Sequence, residues 1–212
     1  MLVIKKISFI ILILSISFFK LNAKDLNNLF DELQKAENIY AAEYIEKNIW
    51  RSWVTHPKSK YLTDKLENGT FSMNNNQYRL ALKLFSDVIT EDPNWAEAWN
   101  KRATLLFLMG NYDASLKDIE QVLSLEPRHF GALSGRAQIY LSLKEYEKAI
   151  TDLEKAKSIY PLIKSGESIE LIKKLIKELQ VLFFLDLFFA ISCVKESTIM
   201  SDALKISLGL YS

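Results

Sequence analysis

Through the middle of the chain, apolar residues return every three or four positions in runs of about a dozen, and the runs come in pairs. Within Trp95 to Met109, the residues Trp99, Ala103, Leu106 and then Gly110 fall on one face, and Gly110-Asn111 breaks the run. Tyr112 to Leu125 reads as a return helix. Its stripe of Tyr112, Leu116, Ile119, Val122 and Leu123 faces the first helix, while Lys117, Glu120 and Gln121 face outward. The next pair repeats the scheme with Leu133, Ala137 and Tyr140, then Tyr146, Ala149, Ile150 and Leu153.

These pairs keep a fixed frame. Pro93, Pro127 and Pro161 stand 34 residues apart, and aligning on them puts Tyr78, Tyr112 and Tyr146 in one column. Other columns hold Ala81, Ser115 and Ala149; Phe85, Ile119 and Leu153; and Val88, Val122 and Ala156. A further column, Gly69, Ala103 and Ala137, is small throughout, which lets two helix backbones approach closely. Each proline is expected in the first turn of the next helix, where its missing N–H costs nothing, with Asp92 capping the helix that Pro93 opens.

The columns resemble the tetratricopeptide repeat, a 34-residue helix-turn-helix unit with small residues at the helix crossing, an aromatic opening the second helix and a closing proline. The resemblance covers three units, 62–95, 96–129 and 130–163, and it implies an all-α fold. That fold is a right-handed α-α superhelix, a solenoid of helical hairpins, with capping helices at its two ends.

The flanks read differently. Lys5 and Lys6 precede the apolar run Ile7 to Phe19, and Leu21-Asn22-Ala23 ends in a small residue, so residues 1–23 look like a secretory signal, with an uncleaved N-terminal anchor as the alternative. Residues 24–61 carry one apolar face of Leu26, Leu29, Phe30, Leu33 and Ala36 and another of Ala41, Ile45, Ile49, Trp50 and Trp53. They are expected to form a degenerate helical hairpin that caps the array, with the tryptophans as packing residues. After the repeats, 164–180 reads as an amphipathic cap and 181–212 as an apolar tail. The stretch 181–194 contains Asp186 and is short for a bilayer span, so a helix packed on the repeats is preferred to a transmembrane one. Membrane attachment through residues 1–20 or 181–194 stays open as an alternative.

Composition narrows the function. The chain has 212 residues, a net charge of +1 and a pI near 7.7, which offers no electrostatic footprint for nucleic acid. One cysteine, Cys193, excludes an intramolecular disulfide. The two histidines, His56 and His129, have no carboxylate or cysteine at metal-ligand spacing and read as loop residues beside their prolines. There is no glycine-rich phosphate loop and no nucleophile elbow, so no enzyme activity, cofactor or metal is expected.

One charged pattern repeats with the frame. Arg102 and Arg136 are equivalent, as are Asp118 and Asp152, whereas the first unit has Asn68 and Leu84 at those places. Each arginine is expected to bond an Asp of its own or the preceding unit as a half-buried staple.

The family resemblance further implies that residues two, five, nine, twelve and thirteen of each unit line a concave groove. Glu97, Asn100, Thr104, Phe107, Ser134, Gln138 and Leu141 are the groove residues it points to for partner binding, with Thr63, Leu66, Thr70 and Met73 in the first unit. The mixture suits an extended peptide or partner helix held by amide hydrogen bonds and apolar contact, with coverage of Phe107 and Leu141 by the chain's own C-terminal helix as the alternative. The co-chaperone members of the family clamp a C-terminal carboxylate with basic side chains. Here the matching sites include Leu66, Thr70, Gly131 and Gly135, and only Lys101 offers a charge. The stretches Trp95 to Ala103 and Glu126 to Gly135 look like small bacterial repeat proteins without an assigned activity. The expected function is a non-enzymatic scaffold for an unidentified protein or peptide, exported and periplasmic. A membrane-attached component of the cell envelope, anchored in the inner membrane and facing the periplasm, is the alternative.

Overall fold

The computed structural model describes residues 26–185. The chain divides after Glu167 into two compact units. In the first, α1 (26–34), α2 (Ile39–Val54), α3 (Lys60–Asn74), α4 (Tyr78–Glu91), α5 (Ala96–Leu108), α6 (Tyr112–Leu125), α7 (Phe130–Ser142) and α8 (Tyr146–Ile159) are followed by a short 3-10 turn, Lys164–Glu167. The second is described as one helix, α9 (168–185). No strand occurs among the described residues. The expectations for residues 1–23 and for the tail beyond residue 185 lie outside them.

Three hairpins, α3/α4, α5/α6 and α7/α8, carry the repeat. The first helix of each ends in the same way: the N–H of Asn76, Gly110 or Lys144 bonds the carbonyl three residues back, and the next N–H bonds one five residues back. This closure needs a left-handed residue, and the three have φ of 60°, 74° and 60°. Gly110 adopts it freely, whereas Asn76 and Lys144 bear a side-chain cost.

The small column fits the crossing it was read for. A Cβ on Gly69 would lie 2.5 Å from the Phe85 ring, so that ring occupies the space a side chain would need. Ala81, Ser115 and Ala149, opposite, are fully buried, and the Ser115 hydroxyl donates to the Ala103 carbonyl at 2.8 Å. The prolines sit elsewhere than expected. Pro93, Pro127 and Pro161 lie in two-residue turns between hairpins, three residues ahead of α5 and α7 in the first two cases. Asp92 closes α4 instead of opening α5, because its carboxylate accepts the Asn94 N–H across the turn at 2.9 Å. Trp95 and His129 occupy the N-cap positions.

A second correction concerns α1 and α2. They do not stack on α3 and α4 as a terminal cap; their apolar faces pack against α7 and the end of α8, in one cluster with Phe130, Leu133, Ala156 and Tyr160. Two apolar faces explain the placement, since a hairpin stacked on an array end covers only one. Ile49 and Leu33 are almost completely buried, each contributing about 1.5–3 kcal/mol. Long-range bonds seal the contact: Gln34 to the Ser158 carbonyl at 3.4 Å, Arg128 to Asn27 at 2.8 Å and Tyr160 to Glu46 at 3.1 Å.

Candidate functional site

Helices α3, α5 and α7, the first of each hairpin, contact one another in order and are those the repeat resemblance assigns to the concave face. Helix α2 crosses its edge at the N-terminal ends of α5 and α7. Trp50 reaches Gly131 so closely that a Cβ there would lie 2.5 Å from the indole. Trp53 stacks flat on the His129 ring, with centroids 4.0 Å apart and planes 8° apart.

Under these indoles lies a charged network that spacing did not reveal. His129 Nδ1 accepts the Ala132 N–H at 3.1 Å, which leaves Nε2 to carry the proton. Nε2 then donates to Glu97 Oε2 at 3.0 Å, and Asn100 Nδ2 donates to the same oxygen at 3.1 Å. Lys101 stands 3.2 Å from Oε1 as an ion pair, outside hydrogen-bond geometry. Burial pushes the Glu97 carboxyl up, but the His129 bond and the Lys101 charge together outweigh it and hold the group below its ordinary 4.5. Glu97 is therefore a buried carboxylate anchoring α5 to α7.

His56 repeats the device. Its Nδ1 accepts the Ser59 N–H at 2.9 Å at the start of α3, and Nε2 bonds Asp92 at 2.8 Å. Trp95 packs its edge on this ring and donates its indole N–H to the Trp53 carbonyl at 2.8 Å. Both histidines thus use Nδ1 to accept backbone N–H groups, at the α7 N-cap for His129 and just ahead of α3 for His56, and Nε2 to bond a carboxylate distant in sequence. The partners lie 36 residues ahead for His56 and 32 behind for His129, a separation no local spacing rule inspects. Among the described residues, no three His, Cys, Asp or Glu side chains converge to hold a metal ion.

The groove residues accordingly divide. Glu97 is buried and faces the molecule's own interior, a correction to its expected role on the surface, whereas Asn100, buried beside it, borders the same cleft as Thr104 and Gln138. Ser134 is half-buried and shares a hydrogen bond of 2.9 Å with Ser165. Further along the helices, Thr104 and Gln138 are exposed and Phe107 and Leu141 half-exposed. Phe107 stacks on Tyr112 at 5.7 Å, which fixes its ring at the groove floor. A cleft of about 70 Å³ opens among Thr104, Phe107, Gly135 and Gln138. In the first unit, Leu66 and Met73 are buried.

The structure brings each arginine to the Asp of its own unit. Arg102 forms a fork on Asp118 at 2.7 and 2.8 Å, and Arg136 one on Asp152 with both bonds at 2.7 Å. Arg102 also reaches Ser86 of the preceding hairpin at 3.2 Å. With the Asp side chains almost wholly buried, removing either arginine would leave an unpaired charge, at a cost of about 3–5 kcal/mol.

Comparison with known proteins agrees with this architecture. A family model described as Tetratricopeptide repeat matches residues 101–162. A TPR repeat-containing protein of Rhizobium etli is 33% identical over 90 residues, which are 42% of this chain; the chain spans 44% of that relative's length. Among solved structures, the Sgt2 TPR domain from Aspergillus fumigatus is similar with a TM-score of 0.54 at 18% identity, covering 57% of this chain and 83% of that one. The first TPR domain of Spaghetti (RPAP3), bound to an HSP90 peptide, gives 0.53 at 18% identity over 57% of this chain and 96% of its own. MamA protein gives 0.51 at 20% identity over 78% of this chain and 89% of its own.

Proposed function

We propose that this chain, a tetratricopeptide-repeat protein, is a non-enzymatic scaffold that holds a partner peptide or helix along the part of its concave face that α2 leaves open. The observation that carries the reading is the exposure of Thr104 and Gln138 beside Phe107 and Leu141. A hydroxyl and an amide can satisfy a partner's backbone, and two partly exposed apolar side chains supply contact area. The solved relative with an HSP90 peptide supports peptide holding by this fold. Recognition of a terminal carboxylate is not part of the proposal, because Lys101 already pairs with Glu97. We further place the scaffold outside the cytoplasm, on the signal-like pattern of residues 1–23.

A membrane-attached role in the cell envelope is the second reading. It is favoured by the end of α9, where Val181, Leu182, Phe183, Phe184 and Leu185 are all exposed. No described helix is long and apolar enough to cross a membrane. Carbonate washing of the cell-derived protein separates the readings, with release expected for the scaffold and retention for the attached form.

A photocrosslinking amino acid in place of Thr104, activated in the cell, tests the groove directly. A discrete protein adduct identified by mass spectrometry is the expected result. Adducts confined to the chain itself would overturn the groove reading.

A further inference from the structure

A second cavity is lined by the Trp50 indole and shares Gly131 with the cleft of the open groove. It has a volume of about 330 Å³ and is bounded by α2, the start of α7 and the segment after α8. That size is at the lower end of the range found for small-ligand sites. We propose that it receives an organic cation, the guanidinium or ammonium group of an arginine or lysine side chain on a partner peptide.

The charge distribution carries the argument. Glu46 is held from both ends: Oε1 accepts the Trp50 indole N–H at 3.1 Å and Oε2 accepts the Tyr160 hydroxyl at 3.1 Å. Both donors are neutral, so they orient the carboxylate without offsetting its charge, and the cation nearby is Lys164, which bonds Glu43. Burial, and then Glu46 itself, push the Tyr160 hydroxyl well above its ordinary value, so it stays a donor. Glu43 adds a second carboxylate. Its partner, Lys164, stands 3.1 Å away, with side chains 47% and 76% exposed respectively, an ion pair worth little and open to exchange. Two carboxylates against one ammonium leave the lining net negative.

Aromatic walls complete the match. Trp50 and Phe130 meet edge to face at 5.7 Å, and Phe130 meets Tyr160 at 5.4 Å, so three rings border the same space as the carboxylates. Rings attract a cation through their faces, and the methylene stem of arginine or lysine packs against them. An anion would be repelled here, and an apolar group would desolvate Glu46 without giving it a charged partner. Lys164 acts as an internal surrogate that a stronger cation displaces. This inference stands independently of the open groove, since its argument uses none of Thr104, Phe107, Gln138 and Leu141.

The test titrates the full chain with N-acetyl-argininamide, reading the Trp50 indole resonance by NMR, with N-acetyl-glutaminamide as the uncharged control. The arginine probe is expected to shift the resonance saturably and the control to leave it unmoved. Glu46→Gln should weaken binding roughly tenfold, as loss of a charged hydrogen-bond partner does. Lys164→Ala, at an exposed position that cannot endanger the fold, should strengthen it about two- to fivefold by removing the competitor. Equal binding of the two probes, no response to the arginine probe, or unchanged or weaker binding in Lys164→Ala would overturn the proposal.

Discussion

The two halves of the concave face put groove positions of the repeat to opposite ends. At the N-terminal ends of α5 and α7, Glu97 and His129 are sealed, the His129 ring beneath Trp53; one to two turns further, Thr104 and Gln138 meet solvent. The difference comes from α2, an element outside the repeat that crosses one edge and stops. A groove position therefore acquires its role from what lies over it as much as from its place in the unit.

The comparison is most sharply broken by Trp53→Ala. Loss of the indole removes the stack on His129 and opens a cavity among Phe30, Phe130 and Trp50, so urea unfolding should show a loss of about 3–5 kcal/mol. Next comes Glu97→Gln, which keeps an acceptor for His129 but leaves Lys101 unpaired, at about 1–3 kcal/mol near neutrality. Its pH dependence is the sharper readout. The native carboxyl titrates below 4.5, so as pH falls the unfolded chain takes up the proton first, and the stability present above 4.5 is lost on acidification through the native pKa. Glu97→Gln should flatten that acid limb, and an unchanged limb would mean the network is not what holds α5 to α7.

Gly131→Ala probes the seal itself. The added methyl collides with Trp50 in a packed setting, and thermal unfolding should report about 1–3 kcal/mol of destabilisation. On the open half, Gln138→Ala should change stability by no more than about 0.5 kcal/mol while reducing capture of the partner found through Thr104. A larger stability loss at Gln138 would show that the open half is structural too.

Much of this was legible before the structure. The 34-residue frame shows the three hairpins because a fixed period repeats the same local demands: a small residue at the crossing, an apolar stripe and a break. The correlated presence of Arg102 with Asp118 and Arg136 with Asp152 pointed to their pairing for the same reason. What stayed hidden is the part that leaves the period. Helices α1 and α2 have two apolar faces, and periodicity names the faces without naming what covers them. His129 looked like a loop residue because its carboxylate lies 32 residues away on α5, and only the tertiary path brings them within 3.0 Å. The prolines misled on detail, since a chain can place proline in the turn before a helix as readily as in its first turn.

A stack of hairpins is ordinarily a sequence-local object, each piece settling against a neighbour made moments earlier. The fold-back of α1 and α2 changes that timing. Contacts such as Gln34 to Ser158 and Glu46 to Tyr160 join residues 124 and 114 positions apart. Closing so large a loop raises the contact order, slowing the last stage of folding relative to an open array of the same hairpins. During synthesis α1 and α2 must wait, with Phe30, Ile49 and Trp53 uncovered, until α7 and α8 have left the ribosome.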